Sequence, residues 1–248
     1  MPPMQIIERI RSPYNDVDIW ETDTGIDFEV AGGTHATWDE HRLLTDYAWD
    51  AIAAAALLRE KAPPRSLLML GLGGGTAIRQ LKHFLPALRI TALEIDPQMV
   101  DLARRYMELD ALGITVIVDD AYDYIKSAKE TFDVVVDDVY MGGESDVFRP
   151  KMHNASLMDE LCQRINPGGI LLANLVTGSG HRRIQSRVRA AFKRRFGEVK
   201  TVKPMKGFNE TLIGGPTAPT SRLAQFESKL MHPRDITAWK ALKARTLK

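Results

Sequence analysis

The sequence predicts an α/β protein: a Rossmann-like, seven-stranded, mostly parallel sheet with helices on both faces, preceded by a small N-terminal β-hairpin region. Three observations carry that prediction. The apolar run Ser66-Leu-Leu-Met-Leu70 enters the glycine cluster Gly71-Leu-Gly-Gly-Gly-Thr76, and a helical pattern with Ile78, Leu81 and Leu85 on one face follows. Two further apolar runs, Ile114 to Asp120 and Phe132 to Val139, each reach a pair of acids. Short apolar strands alternating with helical patterns imply a parallel sheet covered on both sides.

Taken in order, Val17 to Thr22 and Ile26 to Val30 alternate around Asp23-Thr-Gly25, the pattern of a hairpin, and Gly32-Gly33 break it. Thr37, with Glu40 three residues on, reads as the start of a long helix through Leu43, Leu44, Tyr47 and Ile52 to Glu60, stopped by Pro63-Pro64. Helices are expected near 75–85, 97–107, 121–129 and 152–165 between the strands. Asn166-Pro-Gly-Gly169 turns into a fifth strand. A helix at 181–196 and strands near 198–204 and 209–214, the last pair antiparallel, complete the sheet. A Pro- and Thr-rich linker at 215–222 precedes helices around 223–230 and 236–247. The expected division is 1–36, an N-terminal β region; 37–216, a nucleoside-binding domain; and 217–248, a basic helical extension.

Glycines at 71, 73 and 75 allow a sharp turn and close backbone approach to a ligand, at a helix N-terminus with free N–H groups. Glu94 ends the next strand, where a nucleoside site places its ribose acceptor. Thr76 stands where a dinucleotide fingerprint needs a third glycine, so a nucleoside is favoured over NAD. Asp120 and Asp138 end consecutive strands, and in a parallel sheet these carboxyl ends share one edge. Acids that merely cap the following helices are the plainer explanation for any one of them.

From Leu67 to Asp138 the chain resembles the spermidine synthase superfamily, and most of all a short bacterial branch with a Gly-Leu-Gly-Gly-Gly turn. Similar stretches extend outward: Glu8-Arg-Ile-Arg-Ser-Pro-Tyr14, Gly25, Asp39-Glu40, Gly168 to Leu175 and Asn209 to Ile213. The resemblance implies the class I methyltransferase fold and binding of S-adenosylmethionine or its decarboxylated form, with no metal. By the same likeness Asp138 would orient an amine and take its proton, with Tyr140 beside it. Gly71, Gly73 and Gly75 would hold the amino-acid end of the donor, Glu94 the ribose hydroxyls, and Asp120 with Ala121 the adenine. Asp137 and Glu40 are candidates for the substrate side, and a homodimer through the N-terminal β region is implied.

The substrate side departs from the family. Spermidine synthases carry an aspartate at the position of Gly74, Tyr-His-Glu at Leu43-Leu-Thr45, and an aspartate and proline within Val139-Tyr-Met-Gly142. Each loss removes a partner for an ammonium, and burying one unpaired is costly. The first expectation is therefore transfer of a methyl or other alkyl group from S-adenosylmethionine to a small nucleophile, with an amine as the expected type. The alternatives are a polyamine aminopropyltransferase and, last, a nucleoside-binding protein without catalysis.

Composition excludes other classes. Charged residues make up 26% and hydrophobic ones 44%, as in ordinary globular proteins. No apolar run approaches a membrane span and the N-terminus lacks a signal-peptide pattern. Cys162, the single cysteine, sits in an apolar helical pattern and fits a reducing cytoplasm. Charge is segregated: residues 1–180 hold 16 Lys and Arg against 28 Asp and Glu, residues 181–248 hold 17 against 4. The run His181 to Phe196 reads as a solvated helix face or a partner for the acidic body rather than a nucleic-acid surface.

Overall fold

Continuous apolar runs form the centre of the sheet, and their two-residue alternation feeds two separate core layers. The computed structural model describes residues 4–144 and 146–248, so residues 1–3 of the expected N-terminal region lie outside the described residues. An antiparallel meander comes first: β1 (Gln5–Arg11), β2 (Asp16–Glu21), β3 (Gly25–Val30) and β4 (Gly33–Asp39). After α1 (Ala48–Leu57) the parallel part alternates: β5 (Ser66–Leu70), α2 (Thr76–Phe84), β6 (Arg89–Glu94), α3 (Pro97–Tyr106), β7 (Thr115–Val118), α4 (Ala121–Ser127) and β8 (Phe132–Asp137). A two-stranded hairpin, β9 (Met141–Gly142) and β10 (Val147–Phe148), leads to α5 (Ala155–Gln163) and β11 (Ile165–Val176). Then come α6 (Arg182–Phe196), β12 (Val199–Val202), β13 (Asn209–Gly214), α7 (Ala224–Glu227), α8 (Pro233–Ala241) and β14 (Arg245–Thr246).

The main sheet runs β14-β12-β13-β11-β8-β5-β6-β7. β7, β6, β5, β8 and β11 are parallel, while β13, β12 and β14 pair antiparallel. The seven expected strands are present, with β14 as an eighth at the edge. Leu67, Met69, Val134 and Val136 face the layer of α1 and α2, and Leu68, Leu70 and Val135 face that of α4, α5 and α6. Ala53 to Ala56 are fully buried, which lets α1 lie close against the sheet. A third, smaller core joins Val17, Ile19, Phe28, Val30 and Ala36 of the meander to Met99 and Leu102 of α3. This seats the meander over the carboxyl edge of the sheet.

Two expectations fail. The helix begins at Ala48, not near Thr37: Thr37 lies in β4, and the β region runs to Asp39. The Thr37 N–H donates to Thr76 Oγ1 (2.9 Å), which donates back to the Thr37 carbonyl (3.0 Å), so the residue that replaces the third glycine fastens β4 to α2. The last helix ends at Ala241 rather than 247, and β14 follows it. The terminal segment is also no loose attachment: Phe226, Leu230, Trp239 and Leu242 join the first core, with the Trp239 and Phe84 rings 4.5 Å apart.

Candidate active site

At the carboxyl edge of β5, β6 and β8 the chain turns away from the sheet and leaves a cavity of ≈ 460 Å³. Its floor is the glycine turn. Gly71 has φ of +87°, and a Cβ there would meet the Asp138 carbonyl oxygen at 2.5 Å, so β5 and β8 approach too closely for any side chain. Gly73 also lines the cavity, and Gly75, outside it, precedes α2 as its N-cap. Gly74 points the other way. A Cβ on it would lie 2.3 Å from the Ala36 Cβ of β4, so the position is closed by the meander.

Glu94 sits at the end of β6, buried in the cavity wall. Its Oε2 accepts from the N–H groups of Leu72 (3.2 Å) and Gly73 (3.0 Å), and Oε1 from that of Asp96 (3.1 Å). Burial pushes its carboxyl above the ordinary range against the pull of those N–H groups. The Gly71 and Gly75 N–H groups are engaged too, with the carbonyls of Leu93 and Leu72.

Asp138 follows β8 and faces the same cavity. Burial pushes its carboxyl up to about 7; the Asn174 amide and the charge of Arg149 oppose the rise, and Asp137 adds to it. Asn174 Nδ2 donates to Asp138 Oδ1 at 2.8 Å and fixes that oxygen. A carboxyl near 7 is a far better proton acceptor at neutral pH than the ordinary aspartate expected from sequence. His35 in β4 faces the cavity as well, and its enclosure pushes the imidazole down to about 4, so it stands there neutral.

Other candidates are placed differently. Asp137 points to the opposite face of the sheet, fully buried, with Arg149 Nη1 donating to its Oδ1 (2.7 Å) and the Tyr122 hydroxyl near (3.2 Å). His153 Nε2 approaches Oδ2 to 2.8 Å, by proximity and without the alignment of a hydrogen bond. Burial alone would raise the Asp137 carboxyl; Arg149 and His153 overcome it and hold the group well below the usual carboxylate range. Asp137 is therefore not placed to meet a substrate. Tyr140 lines the cavity with its ring, but its hydroxyl donates to the Asn174 carbonyl (3.0 Å) and accepts from the Val176 N–H (3.1 Å), so it serves β11 rather than a reaction. Glu40 is exposed in a different cavity, 3.1 Å from His41.

Asp120 and Ala121 lie beside the cavity and not in its wall. The Asp119 N–H donates to the Glu94 carbonyl, which draws the end of β7 toward β6, and the Asp120 carboxylate caps α4 through Tyr122 N (2.7 Å) and Asp123 N (3.2 Å). The structure thus brings Gly71, Gly73, Glu94, Asp138 and the Tyr140 ring together, keeps Asp120 and Ala121 on the same edge, and separates Asp137 and Glu40 from them.

Arg149, Asn174 and Asp146 went unread in the sequence. Arg149 Nη2 donates to the carbonyls of Asn174 (2.6 Å) and Asp137 (3.3 Å), clamping the ends of β8 and β11 from which Asp138 and Asn174 project. Asn174 had a legible signal, one amide inside the apolar run Ile170 to Leu175. Asp146 joins Glu94 and Asp138 as the third acid of the cavity. No lysine or arginine is among its described lining residues. Among the described residues no group of three or more His, Cys, Asp or Glu is placed to hold a metal ion. No helix of the described residues is long and apolar enough to cross a membrane.

Residues 49–203 match the family model of the spermine/spermidine synthase domain. A probable polyamine aminopropyl transferase of Bifidobacterium longum is 31% identical over 147 residues, 59% of this chain and 31% of that protein. An eEF1A lysine and N-terminal methyltransferase homolog of Drosophila melanogaster is 32% identical over 122 residues, 45% of this chain and 18% of its own length. The chain thus spans a third or less of these curated relatives. In fold, a probable spermidine synthase of Corynebacterium glutamicum superposes with a TM-score of 0.71 at 18% identity, covering 98% of this chain and 90% of that one.

Proposed function

Starting from a chain that belongs to the spermine/spermidine synthase family, we propose that it moves an aminopropyl group from decarboxylated S-adenosylmethionine to an amine. The observation that carries this reading is the charge of the cavity: its acids are Glu94, Asp138 and Asp146, the last 2.9 Å from His181 Nε2, and its described lining has no basic side chain beyond the neutral His35. Intact S-adenosylmethionine brings a carboxylate, for which the N–H groups of Gly71, Leu72, Gly73 and Gly75 are not available because they donate within the protein. The decarboxylated form brings only cations, and so does an amine acceptor. This reverses the order expected from sequence.

The residues fit such a donor: a floor bare of side chains at Gly71 and Gly73, and a buried carboxylate, Glu94, beside it. Bound there, the donor would supply a carbon made electrophilic by its sulfonium, so that its bond to sulfur breaks as the amine nitrogen bonds to it and the neutral adenosyl thioether leaves. Glu94 would hold the ribose hydroxyls and Asp120 the adenine edge. Asp138 orients the amine and takes its proton, a task suited to a carboxyl near 7. Asn174 keeps one Asp138 oxygen fixed, and the rings of Trp49 and Tyr140 in the cavity wall help to exclude water. Association as a homodimer through the meander belongs to the same proposal.

One observation favours a second reading, methyl transfer: position 74, where the resemblance expects an aspartate for the donor's amine, is a glycine closed off by Ala36. Calorimetric titration with each donor separates the two. Tighter binding of the decarboxylated form supports aminopropyl transfer, and tighter binding of intact S-adenosylmethionine replaces it with methyl transfer. Light scattering of the same sample reads the oligomeric state, and a monomer at titration concentrations removes the dimer.

A further inference from the structure

A second cavity of ≈ 630 Å³ shares no lining residue with the first. It lies between the chain after β4, the helix α2 and the segment joining α7 to α8. We propose that it is a binding site for a small molecule bearing a multiply charged phosphate group. Its charges are of two kinds. Arg42 is spoken for, with Asp235 at 3.0 Å and Asp46 at 3.2 Å, and Glu40 lies against His41. Arg79, Lys82 and Lys229 have no carboxylate at ion-pair distance among the described residues, and each is fastened instead by backbone carbonyls. Arg79 Nη2 donates to Asp39 O (2.8 Å), Lys82 Nζ to Pro86 O (2.8 Å) and Leu88 O (3.2 Å), and Lys229 Nζ to Phe84 O (2.8 Å).

A carbonyl fixes a cation without cancelling its charge. Three cations so held lose little side-chain freedom when an anion arrives, and each keeps N–H groups unused: four on Arg79 and two on Lys229 beyond the bonds named. The Arg79 guanidinium is steadied further by lying 5.3 Å from the Trp38 ring centre. A single carboxylate would leave two of the three charges unmatched, whereas a di- or polyphosphate matches them. Leu112, Leu230 and Pro86 give the cavity an apolar wall for the organic part of such a ligand. Lys229 reaches it only because the terminal segment packs on α2, which gives that basic segment a use the amine cavity does not.

Inorganic pyrophosphate is the probe, titrated calorimetrically into the full chain at low ionic strength. Saturable binding is expected, weakened about fivefold or more by Lys82→Gln or Lys229→Gln, and more by both. Glutamine removes the charge and keeps a polar end, one bond shorter than lysine, and thermal melts check that each variant is folded. Lys240→Gln, on the same segment but paired with Glu227, should leave the affinity unchanged. Absence of binding up to about 10 mM, or equal affinity in the double Gln variant, overturns the site.

Discussion

Asp137 and Asp138 are neighbours with opposite fates, and the two-residue period of a strand decides which is which. Val134 and Val136 face the layer of α1 and α2, and Asp138, of the same parity, enters the cavity that Met69, Ala77 and Ile78 of that layer also line. Asp137 shares parity with Val135 and meets Tyr122, Arg149 and His153 on the far side. That much was legible once the strand was placed; the partners of Asp137 were not, because Arg149 and His153 come from an irregular stretch whose path no periodicity describes. The raised carboxyl of Asp138 has consequences for both rate and stability. With a folded value of about 7 against about 3.9 unfolded, its ionisation opposes folding, so stability is full below about pH 4 and declines as pH rises toward 7. Complete isolation from water would make this roughly 4 kcal/mol; facing an open cavity, Asp138 should account for about 1–2 kcal/mol. Asp138→Asn should therefore lose turnover by about 10²–10⁴-fold while binding the donor as before. Its unfolding free energy should gain on the parent's between pH 4 and 8. A difference that does not change with pH would show the carboxyl to be ordinary.

At the scale of elements, the glycine turn, the βα units and the antiparallel end of the sheet could all be read from periodicity and punctuation. β4 could not. Thr37 with Glu40, followed by Leu43, Leu44 and Tyr47, satisfies the signs of a helix start, yet pairing with β3 and the two bonds to Thr76 win. The true start is set by Asp50, whose carboxylate accepts from the N–H groups of Thr45 and Asp46 at 3.0 and 2.8 Å. The difference bears on the site's surroundings, because β4 supplies His35 to one cavity and Ala36 to the seal over Gly74. Gly74→Ala should destabilise the protein by about 1–3 kcal/mol through overpacking, and Ala36→Gly in the same chain should recover part of it. Chemical denaturation checks this, and an unaffected single variant would mean that the meander yields easily.

Over the whole molecule, two cavities differ in character: the acids of one are Glu94, Asp138 and Asp146, and the other gathers Arg79 and Lys82 from the acidic body with Lys229 from the basic terminal quarter. Composition could show the imbalance but not its grouping, which depends on where the terminal segment folds back. That segment is integral to the first core: Trp239, 2% exposed, stacks on Phe84 and donates through Nε1 to the Leu223 carbonyl at 2.9 Å. Trp239→Ala should cost about 3–5 kcal/mol and lower the melting temperature of the entire fold in a single transition. A separate early transition would instead mark the segment as an independent unit.

The helix α2 belongs to both cavities, with Ala77 and Ile78 in the wall of one and Arg79, Lys82 and His83 in that of the other. An element shared in this way is in contact with both occupants. If an anion on the outer side shifts the affinity of the inner site by some factor, an occupant of the inner site must shift the anion's affinity by that same factor. Either ligand then serves as a gauge of the other, even where only one of the two can be obtained pure.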